Sequence, residues 1–255
     1  MKKILITGIS GLVGSVITQK LQGKYEISGV DLKQSDLAPT LQADCTKLDD
    51  MLPAFSEIDT VIDLASIPSQ FSGWDIIHET NLLCTSNALE ASRLSGVKRH
   101  IFASSNHATG MYELDKPYCD IVSGNYSGIS PQNIPLITTD MPIRPDGPYG
   151  IAKAFGEAAG RHYSDQYGFS VMCLRIGTLN KESAPTNPRQ FSTLLTHGDL
   201  ARLVTACIEA EETVKYGIYY GVSDNKWRFW DITNSFQEIN YKPLDSAEEW
   251  RTSSN

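Results

Sequence analysis

The chain has little that would staple or metallate it. Its five cysteines, Cys45, Cys84, Cys119, Cys173 and Cys207, are scattered and odd in number, with no Cys-x-x-Cys pair and no Cys/His cluster of zinc spacing. A disulfide framework is thereby excluded and no metal site is expected. Positive charge is scarce as well: 22 Lys and Arg stand against 30 Asp and Glu, a formal net charge of −8. A nucleic-acid or anionic-membrane surface needs clustered Lys and Arg, so neither partner is expected. No apolar run is long enough to cross a bilayer, and neither repeats nor low-complexity tracts occur. Lys2 and Lys3 before an apolar stretch have the outline of an export signal. Glycines interrupt that stretch and no small-residue cleavage site follows, so a strand is expected there and a cytoplasmic protein with reduced thiols.

What is present is enough apolar residue, 41% of 255, for one domain spanning residues 1–255. Apolar runs at 3–7, 25–30, 59–65, 99–104 and 170–176 alternate with helical patterns near 12–22, 47–55, 75–95 and 147–167. That alternation predicts an α/β fold with a doubly wound parallel sheet. Residues 1–176 would form mainly this core and 177–255 mainly a small C-terminal substrate-binding lobe. The lobe would hold a helix at 198–210, a strand at 218–222 and the aromatics Trp227, Phe229, Trp230 and Trp250. Asp63 and Arg175 interrupt apolar strands, either as buried groups with a task or as strand ends. Between Gly110 and Pro148 the pattern dissolves into a stretch with six prolines, expected to act as a lid or substrate loop.

Gly8, Gly11 and Gly14 follow directly on the run Lys3–Thr7. Such a strand–turn–helix unit is Rossmann-like: the first glycine turns the chain, the second lets backbone approach a pyrophosphate and the third lets the helix pack close. The spacing is G-x-x-G-x-x-G rather than G-x-G-x-x-G, and the phosphates would lie at the helix N-terminus. The second strand ends at Asp31, where a carboxylate accepts from both ribose hydroxyls and repels a 2′-phosphate. The expected cofactor is therefore NAD. Asp44 is placed to reach the adenine amino group.

Tyr149 and Lys153 stand four apart on a helix that starts after Pro148, so both side chains share one face. A neighbouring ammonium favours the phenolate and makes Tyr149 a usable base. Lys153 would also hold the nicotinamide ribose. Ser105 ends another strand, in Ser104-Ser105-Asn106-His107, and would donate to the oxygen that Tyr149 deprotonates. His107 reads as a hydrogen-bonding partner of a substrate or loop rather than as a base.

Together these residues resemble the extended short-chain dehydrogenase/reductase, or NAD-dependent epimerase/dehydratase, family over nearly the whole chain. The resemblance rests on Thr7-Gly8-x-x-Gly11-x-x-Gly14, Asp31, the strand ending Ala65-Ser66, Asn81-Leu82-Leu83-Cys84-Thr85-Ser86-Asn87, Ser105 and Tyr149-x-x-x-Lys153. Asp63 stands where many members have His, and Cys84 where Gly is common. The resemblance implies catalysis by Ser105, Tyr149 and Lys153. It also implies cofactor contacts from Ser10, Leu12, Leu64, Ala65 and Asn81 beside those already named, and a homodimer formed through the helices at 75–95 and 147–167.

Three strings, Phe102–His107, Arg144-Pro145-Asp146-Gly147-x-Tyr149-Gly150 and Arg175-Ile176-Gly177-Thr178, are similar to those of NAD-dependent uronate dehydrogenases within the family. That similarity implies oxidation of a hexuronate at its anomeric carbon to an aldarolactone. Arg189 would clamp the sugar carboxylate through a two-pronged contact. Asn106 and His107 would hold ring hydroxyls, and Ser69 and Thr178 would add substrate contacts. Other readings stay open: a neutral-sugar or sugar-phosphate dehydrogenase, an epimerase or dehydratase that retains NAD, or an NAD-sensing regulator without turnover.

Overall fold

A computed structural model describes residues 1–68 and 72–251. Seven strands, β1 (Lys3–Thr7), β2 (Glu26–Asp31), β3 (Thr40–Gln42), β4 (Thr60–Asp63), β5 (Arg99–Ser105), β6 (Ser170–Ile176) and β7 (Tyr216–Gly221), form one sheet. Every pairing is parallel, in the order β3-β2-β1-β4-β5-β6-β7. The chain reverses its direction of winding between β1 and β4, so a crevice opens beyond their carboxyl ends.

The helices are α1 (Leu12–Leu21), α2 (Leu48–Met51), α3 (Trp74–Ile76), α4 (Leu83–Leu94), α5 (Tyr118–Ser123), α6 (Pro148–Tyr167), α7 (Gln190–Thr193), α8 (His197–Glu209) and α9 (Thr233–Ile239). Among the described residues no helix is long and apolar enough to cross a membrane. Ile17 and Leu21 of α1 join Leu200, Leu203 and Val204 of α8 in a buried cluster with Ile4, Ile6 and Met172 of the strands. Met51, Phe55, Cys84 and Ala88 cluster with Leu5 and Val61. Strands clad on both faces must be apolar nearly throughout, which is why β6, with Val171–Leu174 all buried, is so readable in sequence.

Three features differ from the sequence expectation. β3 pairs with β2 at the sheet edge but has only three residues, too few for any periodicity to show. The expected helix at 75–95 is interrupted by a π-helical turn, Ile77–Leu82, between α3 and α4. Such turns often accompany functional sites. The proline-rich stretch is ordered: a 3-10 helix (Asn106–Leu114), α5 and a second 3-10 turn (Pro131–Asn133) occupy it. Its Tyr112, Tyr118, Ile121, Ile134 and Ile137 pack on Tyr220, Val222, Trp227, Phe229 and Trp230. Ile137 also donates its N–H to Phe229 O at 2.8 Å. The lobe is thus built from residues 106–141 together with the C-terminal aromatics, whereas β7 extends the sheet and α8 packs with α1 against it. Trp250, expected in the lobe core, is exposed.

Candidate active site

A cavity of about 850 Å³ runs along the carboxyl ends of the strands, from Asp31 and Asp44 at one end to Arg189 at the other. Its first wall is the glycine turn. Gly8 has φ +69°, and a Cβ there would lie 3.1 Å from the backbone of Leu64 and Ala65. A Cβ on Gly14 would lie 2.6 Å from Ile9 O, so only glycine lets α1 start this close to β1. Ser10, Gly11, Leu12, Leu64 and Ala65 line this part as expected. Asp31 accepts from Ser10 N at 2.9 Å and Lys33 N at 3.1 Å, which fixes its carboxylate against the turn. Asp44 accepts from Thr46 Oγ1 at 2.7 Å and Thr46 N at 3.0 Å, and those bonds hold its carboxyl below the usual range. A glycine-rich turn at a helix N-terminus, flanked by two carboxylates, fits the pyrophosphate, ribose and adenine of NAD.

Asn81 is the exception. It is buried behind the wall, where Oδ1 accepts from Ile67 N at 2.8 Å and Nδ2 donates to Ile67 O at 3.2 Å. Both ends of its amide are consumed in pinning the loop after β4, so the expected cofactor contact is instead a support for the loop that carries Ser66. Ser69 lies outside the described residues.

Ser105, Tyr149 and Lys153 meet at the middle of the cavity. Pro148 occupies the first turn of α6, where its missing N–H costs nothing. A Cβ on Gly150 would fall 2.2 Å from His107 O, so glycine lets the start of α6 lie flush against the turn after β5 and brings Tyr149 to Ser105. Ser105 Oγ accepts from His107 N at 3.2 Å. Burial pushes the Tyr149 phenol up to about 12, and the Ser105 hydroxyl pulls the other way. Burial likewise lowers Lys153 to about 8, opposed by the Asp63 carboxylate. Lys153 Nζ lies 3.3 Å from Ser66 Oγ and 5.4 Å from the Tyr149 ring centre. In the free protein, desolvation outweighs any mutual tuning of the two groups, and Tyr149 is protonated at neutral pH.

Asp63 has a task after all. Its Oδ1 accepts from Thr7 Oγ1 at 2.6 Å, and Thr7 Oγ1 in turn accepts from Leu64 N and Ala65 N at 3.0 Å. This ties the ends of β1 and β4 together beneath Lys153. Cys84 lines the cavity as a largely buried thiol, which burial pushes up to about 12.

The far end holds Asn106, His107, Thr178 and Arg189. His107 Nδ1 pairs with Asp146 Oδ2 at 2.6 Å, and its ring stands edge-on to Tyr149 at 5.7 Å. Arg189 reaches the cavity as expected, but its guanidinium is already engaged. Nε and Nη2 donate to Oε2 and Oε1 of Glu113 at 2.6 and 2.7 Å. Nη1 donates to Thr178 Oγ1 at 3.0 Å and Thr193 Oγ1 at 3.5 Å. With the Asn106 amide turned to satisfy its surroundings, its oxygen accepts from Nη2 at 2.7 Å and its nitrogen donates to Ile176 O at 3.0 Å. All five guanidinium donors therefore have acceptors within the protein. Glu113 is the site residue the sequence did not announce: it lies in the 3-10 helix, 76 positions from Arg189, and no local pattern marks it.

Known proteins are similar to this chain over nearly its whole length. The chain is 31% identical to the NAD-dependent glucose-6-phosphate dehydrogenase of Haloferax volcanii, covering 97% of this chain and 95% of that protein. It is also 31% identical to the uronate dehydrogenase of Agrobacterium fabrum, covering 98% and 88% respectively. The solved uronate dehydrogenase of Agrobacterium tumefaciens, a mutant of which is complexed with NAD, matches the structure with a TM-score of 0.83 at 29% identity, covering 98% of this chain and 87% of that one. Residues 4–228 match the NAD dependent epimerase/dehydratase family, and the chain belongs to that family.

Proposed function

We propose that the protein is an NAD-dependent sugar dehydrogenase that oxidises the anomeric carbon of a free monosaccharide to a lactone. One observation carries this reading: the Ser105 hydroxyl, Tyr149 phenol and Lys153 ammonium line the middle of a cavity whose first wall is the glycine turn and Asp31. NAD, when bound, supplies the acceptor for the C1 hydride. Tyr149 as phenolate takes the C1 hydroxyl proton, C1 loses its hydride, and the C1–O bond becomes the lactone carbonyl. Ser105 donates to that oxygen and so holds it against Tyr149. Burial keeps Tyr149 protonated in the free protein, so the phenolate forms only once cofactor and sugar fill the site, with Lys153, the cation on the next turn of α6, favouring it there.

The hexuronate form of the reading seats the sugar carboxylate at Arg189 and ring hydroxyls at Asn106, His107 and Thr178. Similarity to uronate dehydrogenases supports it. A neutral-sugar form is favoured by the contact between Glu113 and Arg189. The same reading places the enzyme in the cytoplasm, which its free cysteines suit. It also makes the enzyme a homodimer through α4 and α6, whose Leu83, Ile151 and Phe155 are exposed. A monomer on sedimentation would contradict the dimer alone.

The test follows absorbance at 340 nm with NAD and a panel of free sugars, sugar acids and sugar phosphates. Tyr149→Phe should bind NAD normally and lose about 10²–10⁴-fold in kcat. Undiminished turnover would remove Tyr149 from the reaction. Conversion of a sugar without net NADH would indicate an epimerase, and NAD binding with no conversion a sensor.

A further inference from the structure

Resting on the dehydrogenase reading, we infer that Glu113 neutralises Arg189 and makes the far end of the substrate cavity a seat for an uncharged sugar end, a hydroxyl or hydrogen at the last carbon, rather than for a carboxylate or phosphate. A guanidinium recognises an anion by offering it two parallel N–H donors. In Arg189 that edge, Nε with Nη2, is given to the two oxygens of Glu113. The remaining donors go to Thr178, Thr193 and Asn106, so no edge is left for a second carboxylate.

The charge count agrees with the geometry. The cations that line the cavity are Lys33, Lys153 and Arg189. Lys33 sits beside Asp31 at the adenosine end, and Lys153 beside Tyr149 at the middle. Arg189 alone serves the far end, and Glu113 cancels its charge. A second carboxylate, Asp146, backs His107 on the same side. A hexuronate would bring its own negative charge against this wall and would have to compete with Glu113 for the one paired edge of Arg189. A hydroxyl, by contrast, brings no charge to this wall and leaves the pair of Arg189 with Glu113 in place. Discrimination of this kind works through a built-in penalty against the wrong ligand.

Matched pairs that differ only at C6 isolate the effect: glucose against glucuronate, galactose against galacturonate, and glucose against glucose 6-phosphate. The native protein should show kcat/KM at least about tenfold higher for the neutral member of each pair it accepts. Glu113→Gln should remove the cancelling charge and one of the two acceptors at the Arg189 edge, and move the uronate-to-neutral ratio at least about tenfold towards the uronate. A native preference for the uronate or the phosphate would overturn the proposal, and so would a ratio unmoved by E113Q. Should E113Q fail to fold, the native ratios alone decide. NADH from no sugar, by a protein that binds NAD, would instead overturn the dehydrogenase reading on which the proposal rests.

Discussion

Two of the protein's forked guanidinium–carboxylate pairs have nearly equal geometry and opposite circumstance. Arg175 of β6 donates from Nε and Nη2 to Glu157 of α6, at 2.8 Å each, with the two side chains 1% and 5% exposed. Glu157 also accepts from Ser104 Oγ at 2.6 Å, and Arg175 Nη1 donates to Tyr220 OH at 3.1 Å. Burial pulls the Arg175 guanidinium down in pKa, but Glu157 more than offsets this and holds it above its ordinary value. Arg189 and Glu113 are 30% and 14% exposed, and of the two Arg189 lines the far end of the cavity. Distances alone would make these two pairs equivalent. What surrounds them separates a lock between helix and sheet from a pair at the wall of a cavity.

The sharpest way to break this comparison is to remove Glu157. Glu157→Ala leaves Arg175 charged and sealed between α6 and β6, and breaking a buried pair by deleting one member costs about 3–5 kcal/mol. Urea unfolding should show that loss as a lower midpoint. A loss below about 1 kcal/mol would mean that water reaches Arg175, and the two pairs would no longer differ in kind.

Lys153 sharpens the comparison from the other side, since it is a buried cation whose only hydrogen-bond acceptor among the described residues is Ser66 Oγ at 3.3 Å. Its ammonium is lowered from 10.5 to about 8 by burial. A base whose folded pKa is depressed destabilises the fold while both states are charged. The penalty is therefore full below pH 8 and fades as pH rises towards 10.5, where the unfolded chain also loses its proton. Lys153→Met should abolish turnover yet raise stability by up to about 3 kcal/mol at pH 7, with the gain shrinking above pH 8. Thermal melts at pH 7 and pH 10 check the sign. A destabilised K153M would mean that the ammonium is better solvated than its burial indicates.

Residues were readable in sequence where spacing along the chain equals geometry in space. Gly8, Gly11 and Gly14 form one turn, Asp31 ends the next strand, and Tyr149 and Lys153 lie one helical turn apart. The same rule could have found Glu157, four positions beyond Lys153 on the same face of α6 and ahead of an apolar strand that contains Arg175. Asn81 was found but misassigned, because a sequence marks a polar residue beside a site without saying whether it faces the cavity or the loop behind it. Glu113 was invisible: it meets Arg189 only after the proline-rich stretch has folded onto Trp227, Phe229 and Trp230, and that packing has no period.

The smallest effect is the most telling for the Arg189 pair. Glu113→Gln keeps an oxygen that can accept one guanidinium N–H, and Arg189 retains Thr178, Thr193 and Asn106 as partners. Arg189 also keeps access to water at 30% exposure, so the pair resembles a partly exposed salt bridge, worth about 1 kcal/mol or less. For a chain of this size that corresponds to a fall in Tm of about 2–4 °C at most. A melt within that window would leave the altered substrate preference of E113Q attributable to charge alone. A loss of about 3 kcal/mol or more would put this pair in the same class as Arg175 and Glu157, a lock on the fold, and the charge of the cavity wall would then be a by-product of folding rather than a device for choosing substrates.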